Sequence, residues 1–403
     1  MDIILLTVLG LGCLFFLFTS FTLIHNIRHF ENLSDQKDFH RSEKQSKKKP
    51  VVSVLIPARN EENTILKLLD SLSNQDYPHI EIFVLDDGST DNTASVVSRF
   101  SNLSNQPVNL LTGKQKPEGW MGKNWACHQL SKHANGEILL FLDADTWLAP
   151  STVKGIITKM RLYQLGFTTV WPHQIMCSFA EKTIISMVYS TIVLYLPTLY
   201  SYQAPGWIPF SSLRTKVKPA FANACGQCMA FTKKCYNKTG GHSRVRNEVV
   251  EDVMLSKNVV SSGYRMRMFH GTDFLWCRMY RNHNEVLQGF RKNFLAGFHY
   301  KLLPFTAAWI LHITVFLIPP VLCLLMLTSA LPVSSNQDII LGIAAFLTAI
   351  PFLQRLSVTY LLKWPRITAI LHLAGILWFQ VLAIIVIRDY LLKTTVNWKG
   401  RGI

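Results

Sequence analysis

The sequence predicts an α/β domain, a mostly parallel sheet flanked by helices, carried between N- and C-terminal transmembrane helices. Three observations lead there. Strand-like apolar runs alternate with amphipathic helical patterns and short turns from 51 to 145, the signature of a parallel sheet. Uncharged apolar runs of spanning length lie at 3–24, 304–329 and 367–387. The third is the run Ile138-Leu139-Leu140-Phe141-Leu142, a buried-type strand that ends on Asp143 and Asp145. Two carboxylates two residues apart at a strand end face one side. In an open α/β sheet that end is where ligands bind.

Composition agrees. Of 403 residues, 49% are hydrophobic and 16% charged. Soluble domains carry about 25% charged residues. The net charge of +16 calls for anionic partners. No aromatic-basic ribonucleoprotein motif or zinc finger is visible, which argues against nucleic acid. A bilayer with anionic lipids and an anionic nucleotide substrate account for the charge. The eight cysteines are scattered. Cys225-Gly-Gln-Cys228 has the form of a redox or zinc pair but lacks a second pair at suitable spacing. Reduced, structural cysteines on the cytoplasmic side are the expectation.

Taken in order, residues 1–25 read as an uncleaved N-terminal transmembrane anchor. Asp2 precedes the apolar run, and Arg28, Lys37, Arg41, Lys44 and Lys47-Lys48-Lys49 come after it. That asymmetry puts the N-terminus outside and the residues beyond the anchor in the cytoplasm. Residues 26–50 are a cytoplasmic basic linker without apolar period. The α/β domain is expected over 51–300. It begins with a strand at 51–56, then Pro57-Ala58-Arg59-Asn60-Glu61-Glu62 and a helix at 64–73. A second strand, 80–85, leads into Asp86-Asp87-Gly88-Ser89-Thr90-Asp91, where Gly88 suits a tight turn and the hydroxyls cap a helix over 92–100. A strand at 108–111, the glycine-flanked stretch Gly119-Trp-Met-Gly122-Lys123-Asn124 and a helix at 125–133 precede the Asp143/Asp145 strand.

Residues 183–200 are apolar and uncharged, with Tyr189, Tyr195, Tyr200 and Pro197. A buried helix is the ordinary reading; the tyrosines and proline favour an interfacial helix that guides a lipid to the site. Residues 301–392 hold about three membrane helices, with 339–354 the shortest candidate because Arg355 ends its apolar run, and 393–403 form a basic tail. The whole reads as a multi-pass protein of the cell membrane with a cytoplasmic α/β domain. The loop at 332–338 should lie outside and Lys363 and Arg366 inside. The tail with Arg388, Lys393, Lys399 and Arg401 then falls outside, against the positive-inside tendency. Either one segment is re-entrant or the tail is an exception.

The strings Ile56-Pro57-Ala58-Arg59-Asn60-Glu61-Glu62, Val84-Leu-Asp86-Asp87-Gly-Ser-Thr-Asp91 and Asp143-Ala-Asp145, in this order and spacing, resemble the family 2 glycosyltransferases of GT-A fold. Gly119-Trp-Met-Gly-Lys-Asn-Trp-Ala-Cys-His128, Thr239-Gly-Gly-His242, the apolar C-terminal helices and Asn397-Trp398-Lys399-Gly400-Arg401 are similar to bacterial carotenoid glycosyltransferases of the diaponeurosporenoate type and to hopanoid-associated glycosyltransferases.

The resemblance implies a site. Asp87 would accept the N3 hydrogen of uracil, with Pro57 and Ala58 lining the base pocket and Glu61 beside it. Lys123 would neutralise the nucleotide diphosphate. Asp143 and Asp145 would hold Mg2+ or Mn2+ on the diphosphate of a nucleotide-sugar donor. In Val249-Val250-Glu251-Asp252-Val253, Asp252 would be the base of an inverting transfer of a single sugar to a membrane lipid such as a carotenoid or other isoprenoid. For Glu251-Asp252 the plain alternative is an acidic pair at a helix start. Gln288-Gly-Phe-Arg291-Lys292 departs from the Gln-x-x-Arg-Trp of many membrane members. Lys in place of Trp argues against polymer synthesis and leaves Gln288 and Arg291 as donor-site candidates or as part of a basic juxtamembrane stretch. The rival functions are a membrane polysaccharide or glycolipid synthase and a non-catalytic lipid-binding scaffold. Retention of Asp143, Asp145 and Asp252 counts against the scaffold.

Overall fold

The computed structural model describes residues 2–33, 38, 49–104, 106–328, 330, 336–394, 397–398 and 401–402. It forms two compact units. The α/β unit comprises Arg28–Ile175 and Thr198–Met279, and the helical unit Met1–Ile27, Met176–Pro197 and Tyr280–Ile403. The α/β unit thus ends at Met279, earlier than the 300 expected.

The α/β unit is built on β1 (Val52–Ala58), β2 (Ile80–Asp86), β3 (Val108–Thr112), β4 (Ile138–Leu142), β5 (Thr146–Leu148), β6 (Phe167–Gln174), β7 (Cys228–Thr232) and β8 (Met266–Cys277). They form one eight-stranded sheet in the order β3-β2-β1-β4-β7-β6-β8-β5. The first four strands are parallel, as the alternation with helices requires. Parallel pairings remain the majority, as expected, with antiparallel ones added beyond β4. β7 runs antiparallel between β4 and β6, and β5 antiparallel to β8, so four of seven pairings are parallel and the sheet is mixed. The antiparallel half has no helix-crossover rhythm, which is why the pattern of 51–145 did not extend to it.

Local chemistry explains the elements. β4 is buried at every position, so it reads as an unbroken apolar run. Helix Ile65–Ser73 buries Ile65, Leu68, Leu69 and Leu72, one face at helical spacing. Part of the expected linker also belongs to the core of this unit. Leu33 is fully buried, and its backbone N–H donates to His270 O at 3.0 Å. Glu31 meets Arg267 at 2.6 Å and Lys159 at 3.2 Å, and Asp38 meets Lys159 at 2.6 Å. The segment has little apolar period because its acids are there to pair with two buried cations. Its lysines at 37, 44 and 47–48 and Arg41 lie outside the described residues.

Among the described residues, four helical stretches are long and apolar enough to cross a membrane: Asp2–His29, Leu302–Leu327, Gln337–Leu361 and His372–Leu392. The third continues past Arg355, correcting the short reading. Arg355 is 2% exposed; its Nη1 donates to Ser186 O and Ser190 Oγ, and its Nη2 to Ser186 Oγ and Thr368 O. The cation stays inside because four oxygens are fixed around it.

The segment expected at the interface forms a packed helix. Helix Ser186–Tyr195 buries Ser186, Met187, Tyr189, Ser190, Val193 and Leu194. Asn26 Nδ2 donates to Val193 O and Leu196 O at 2.7 and 2.8 Å. The helix is packed, because Arg355 and Asn26 satisfy its polar groups from the inside. At the tail, Asn397–Trp398 and Arg401–Gly402 pair antiparallel, while Lys399 and Gly400 lie outside the described residues.

Candidate active site

The antiparallel insertion of β7 makes the site. Because β7 opposes β4, with Leu142 across from Cys228, the chain entering β7 lies beside the chain leaving β4. Asp143 N–H donates to Gln227 O at 3.2 Å. Gly226 stands one residue back, and its N–H donates to Asp252 Oδ2 at 2.8 Å. Asp252 Oδ1 accepts from Val253 N–H at 2.8 Å. A Cβ on Gly226 would stand 3.2 Å from Lys123 Nζ, 3.3 Å from Asp252 Oδ2 and 3.4 Å from Glu251 Oε1. A glycine is what lets these charged groups converge on backbone.

Lys123 binds the acids together. Its Nζ is 2.8 Å from Asp143 Oδ1, 3.0 Å from Asp143 Oδ2 and 3.1 Å from Glu251 Oε1. Burial works against its charge, but Asp143 and Glu251 more than reverse this, and its pKa stands well above the usual lysine value. Lys123 is in the first turn of helix Gly122–His133. The next residue, Asn124, donates to Val245 O at 2.7 Å and Glu248 O at 2.9 Å. That clamp fixes the lysine against the chain leading into helix Glu251–Ser261. Glu251 and Asp252 open that helix, a favourable place for negative charge. Burial and the neighbouring Glu251 push the Asp252 carboxyl up to about 7.

Asp145 lies two residues beyond Asp143, and the Cys277 thiol is hydrogen-bonded to it. Burial, Asp145 and Asp143 raise the Cys277 thiol well above the ordinary range, so it stays protonated. Gln227 Nε2 donates to Cys277 Sγ at 2.9 Å, and Cys225 Sγ to Gln227 Oε1 at 3.4 Å. The cysteines are free thiols, as a structural role requires. Two carboxylates are hard oxygen donors, a set suited to Mg2+ or Mn2+ with diphosphate oxygens completing the shell. Among the described residues no cluster of three His, Cys, Asp or Glu forms a metal cage.

The first three strands assemble a second region. Ala58 pairs with Asp86, and Asp87 N–H donates to Ala58 O at 2.8 Å. This brings Pro57, Ala58 and the 7%-exposed Asp87 together at the strand ends. Arg59 Nη1 donates to Asp87 O at 2.6 Å and Gly88 O at 3.0 Å. Glu61 Oε2 accepts from Thr64 Oγ1 at 2.6 Å, and its N–H donates to Thr93 Oγ1 at 2.8 Å, so Glu61 braces the loop. His242 is fully buried, with Nδ1 2.8 Å from Tyr236 OH and its ring 4.8 Å from that of Phe141. Burial, with Lys123 and His128 nearby, holds it down to about 3, hence neutral. Gly241, at φ 47°, has Tyr236 ring atoms where a Cβ would sit. The Thr239-Gly-Gly-His242 motif is therefore core packing behind β4.

Of the sequence candidates, Pro57, Ala58, Glu61, Asp87, Lys123, Asp143, Asp145 and Asp252 all fall in the α/β unit. Gln288 and Arg291 belong to the helical unit, on helix His283–Phe294, where Arg291 is ion-paired with Asp389. Sequence reasoning missed Gly226 and Gln227, and it left Glu251 without a role. The signal was the glycine inside Cys225-Gly-Gln-Cys228, which was read for its cysteines.

A sheet of this topology, with paired carboxylates leaving the central strand, is the GT-A fold of nucleotide-sugar-dependent transferases. Residues 53–239 match the family described as "Glycosyl transferase family 2". Over that stretch, the chain is similar to the family 2 glycosyltransferases.

Among curated proteins, it is 30% identical over 249 residues to 4,4'-diaponeurosporenoate glycosyltransferase of Staphylococcus aureus (strain MRSA252). The match covers 61% of this chain, and the chain spans 61% of that relative's length. Among solved structures, the mannosyltransferase PcManGT from Pyrobaculum calidifontis, in complex with GDP-Man and Mn2+, superposes with a TM-score of 0.53 at 17% identity. That match covers 96% of this chain and 99% of the other, and it shows the fold.

Proposed function

We propose that the protein transfers one sugar from a nucleotide sugar to a membrane lipid, with inversion at the anomeric carbon. The observation that carries this is the convergence of Asp252, Glu251, Lys123 and Asp143 around Gly226. Asp87 takes the imide N–H of the base, an acceptor-only group against a donor, while Pro57 and Ala58 line that pocket. Uracil N3–H and guanine N1–H both fit this rule, so UDP- and GDP-sugars are the donors to try. Gln288 and Arg291 remain candidates for the donor side. Asp143 and Asp145 would hold Mg2+ or Mn2+, which would supply charge stabilisation for the leaving diphosphate. Lys123, already bound to Asp143, adds a fixed positive charge to the same place.

The transfer needs one base. The acceptor oxygen forms a bond to the anomeric carbon, the bond from that carbon to the diphosphate oxygen breaks, and the electron pair leaves with the nucleoside diphosphate. The acceptor proton passes to Asp252. A carboxyl titrating at about 7 is matched to that task near neutral pH. The Staphylococcus relative is named for a carboxylate acceptor. A carboxylate brings no proton to remove, so Asp252 matters for hydroxyl acceptors. Membrane helices at both ends, with the α/β unit in the cytoplasm, would keep the enzyme at its lipid.

The test is Asp252→Asn in full-length protein with a hydroxyl and a carboxylate isoprenoid acceptor. Turnover onto the hydroxyl should fall by about 10²–10⁴ with donor affinity kept. Transfer to the carboxylate should survive far better. Loss of donor binding with turnover intact at saturation would reassign Asp252.

A further inference from the structure

We propose that residues 202–217 of the α/β unit form a docking loop that seats on an anionic bilayer surface. The ends of the loop are tied. Turns Thr198–Ser201 and Lys218–Phe221 flank it, and the Tyr200 and Phe221 rings meet at 5.3 Å. A segment of this length with adjoining ends is an Ω-loop, a class often given a function.

The tip is ordered with its aromatic groups outward. Arg214 Nε donates to Ile208 O and its Nη2 to Gly206 O at 3.2 Å, closing helix Ser211–Val217 onto 206–208. Ile208 is turned in, 6% exposed, while Trp207 and Phe210 are each 68% exposed and Leu213 is 44% exposed. The exposure is thus imposed by hydrogen bonds that hold the loop in one shape. Two aromatic rings and a leucine on one loop tip form an apolar patch of the kind that marks an interaction site.

Charge selects the occupant. From 182 to 247 the chain has nine Lys or Arg and no Asp or Glu. Lys216 is exposed beside the patch, and Lys218 lies next to Arg265, where burial and that like charge lower its pKa. Arg214, Lys216 and Lys218 stand in and at the end of the loop, which carries no Asp or Glu, and cations so placed are suited to phosphate headgroups. Trp and Phe with flanking lysines are the composition of an interfacial anchor, rings at the headgroup boundary and ammonium groups among phosphates. The described helices of spanning length would keep a bilayer at high local concentration, so even weak contacts of this loop count.

The proposal needs no transfer reaction, so its test reads the loop directly. Full-length protein is reconstituted in nanodiscs of phosphatidylcholine with or without phosphatidylglycerol. The chain has ten Trp, and the emission difference between wild type and Trp207→Phe isolates the loop. That difference should be quenched by brominated acyl chains and shielded from acrylamide, more so with phosphatidylglycerol present. Moving the probe, with Phe210→Trp added to Trp207→Phe, should give the same behaviour. Lys216→Gln with Lys218→Gln should weaken docking about thirtyfold, at the attraction usual for two basic residues at an anionic surface, and remove the phosphatidylglycerol effect. Both probes open to acrylamide and indifferent to brominated lipid would overturn the proposal. So would shielding that appears only on adding isoprenoid acceptor, which would place the acceptor there. Shielding that tracks crosslinked dimers would assign the patch to a second copy.

Discussion

The two units handle buried charge in opposite ways. In the α/β unit, Lys123, Asp143, Glu251 and Asp252 crowd around one glycine, and the lysine serves two carboxylates at once. Lys123 is held charged, and Asp252 is raised to about 7. In the helical unit, Arg355 stands inside a candidate spanning helix, and its two terminal nitrogens meet four neutral oxygens of Ser186, Ser190 and Thr368. The first arrangement is strained by like charges and can exchange partners with an incoming anion and cation. The second has its guanidinium forks engaged. The difference is between a cluster in which Glu251 and Asp252 crowd one another beside a shared lysine, and a cation matched by fixed neutral acceptors.

The sharpest way to break that contrast is at the proposed metal position. Asp145→Asn should abolish transfer and divalent-dependent donor binding while the protein stays folded. Full activity in that variant, or activity unchanged by excess EDTA, would remove Asp145 from the cluster that does chemistry. Arg355→Met tests the other side. It should cost about 3 kcal/mol, because the oxygens around the guanidinium lose their donors. Thermal unfolding in detergent reads this loss, and calorimetry should find the donor affinity of folded protein unchanged. A variant as stable as wild type with altered donor affinity would make Arg355 functional.

Smaller effects sharpen the comparison. With a hydroxyl acceptor, kcat/KM should fall as pH drops below about 7, because a protonated Asp252 cannot take the proton. Glu251→Gln removes a like charge that raises Asp252, so the acid limb should move to lower pH. A limb that stays in place would mean that another group sets it. Gly226→Ala should be mildest, lowering kcat by about tenfold as the new Cβ presses on Lys123 and Asp252. Stability should hardly change. A large loss of stability there would show that Gly226 is packing rather than positioning.

Reading by residue type reached the parts of the site that are local. Asp143 and Asp145 could be found because a five-residue apolar run must end somewhere and side chains alternate along it. Asp87 came instead from the resemblance of the Asp86-Asp87-Gly88-Ser89-Thr90-Asp91 string to the family's motif. Glu61 was legible as a position, yet its carboxylate reaches Thr64 and braces a loop, a hydrogen bond that spacing cannot show. For 183–200, apolar composition fits a buried helix and an interfacial one equally well. The contacts that pack the helix come from Asn26 and Arg355, far away in sequence.

By itself the sequence determined the strands and helices of 51–145, the apolar helices at both ends and the acidic residues that mark strand ends. These depend on burial and periodicity over a few residues. Only the tertiary structure decided that β7 enters antiparallel between β4 and β6, bringing Gly226 and Gln227 beside Asp143 and, through Lys123, to Glu251 and Asp252. Strand register and the burial that raises Asp252 are properties of chain segments roughly a hundred residues apart, whose meeting is paid for by the whole core rather than by any local pattern.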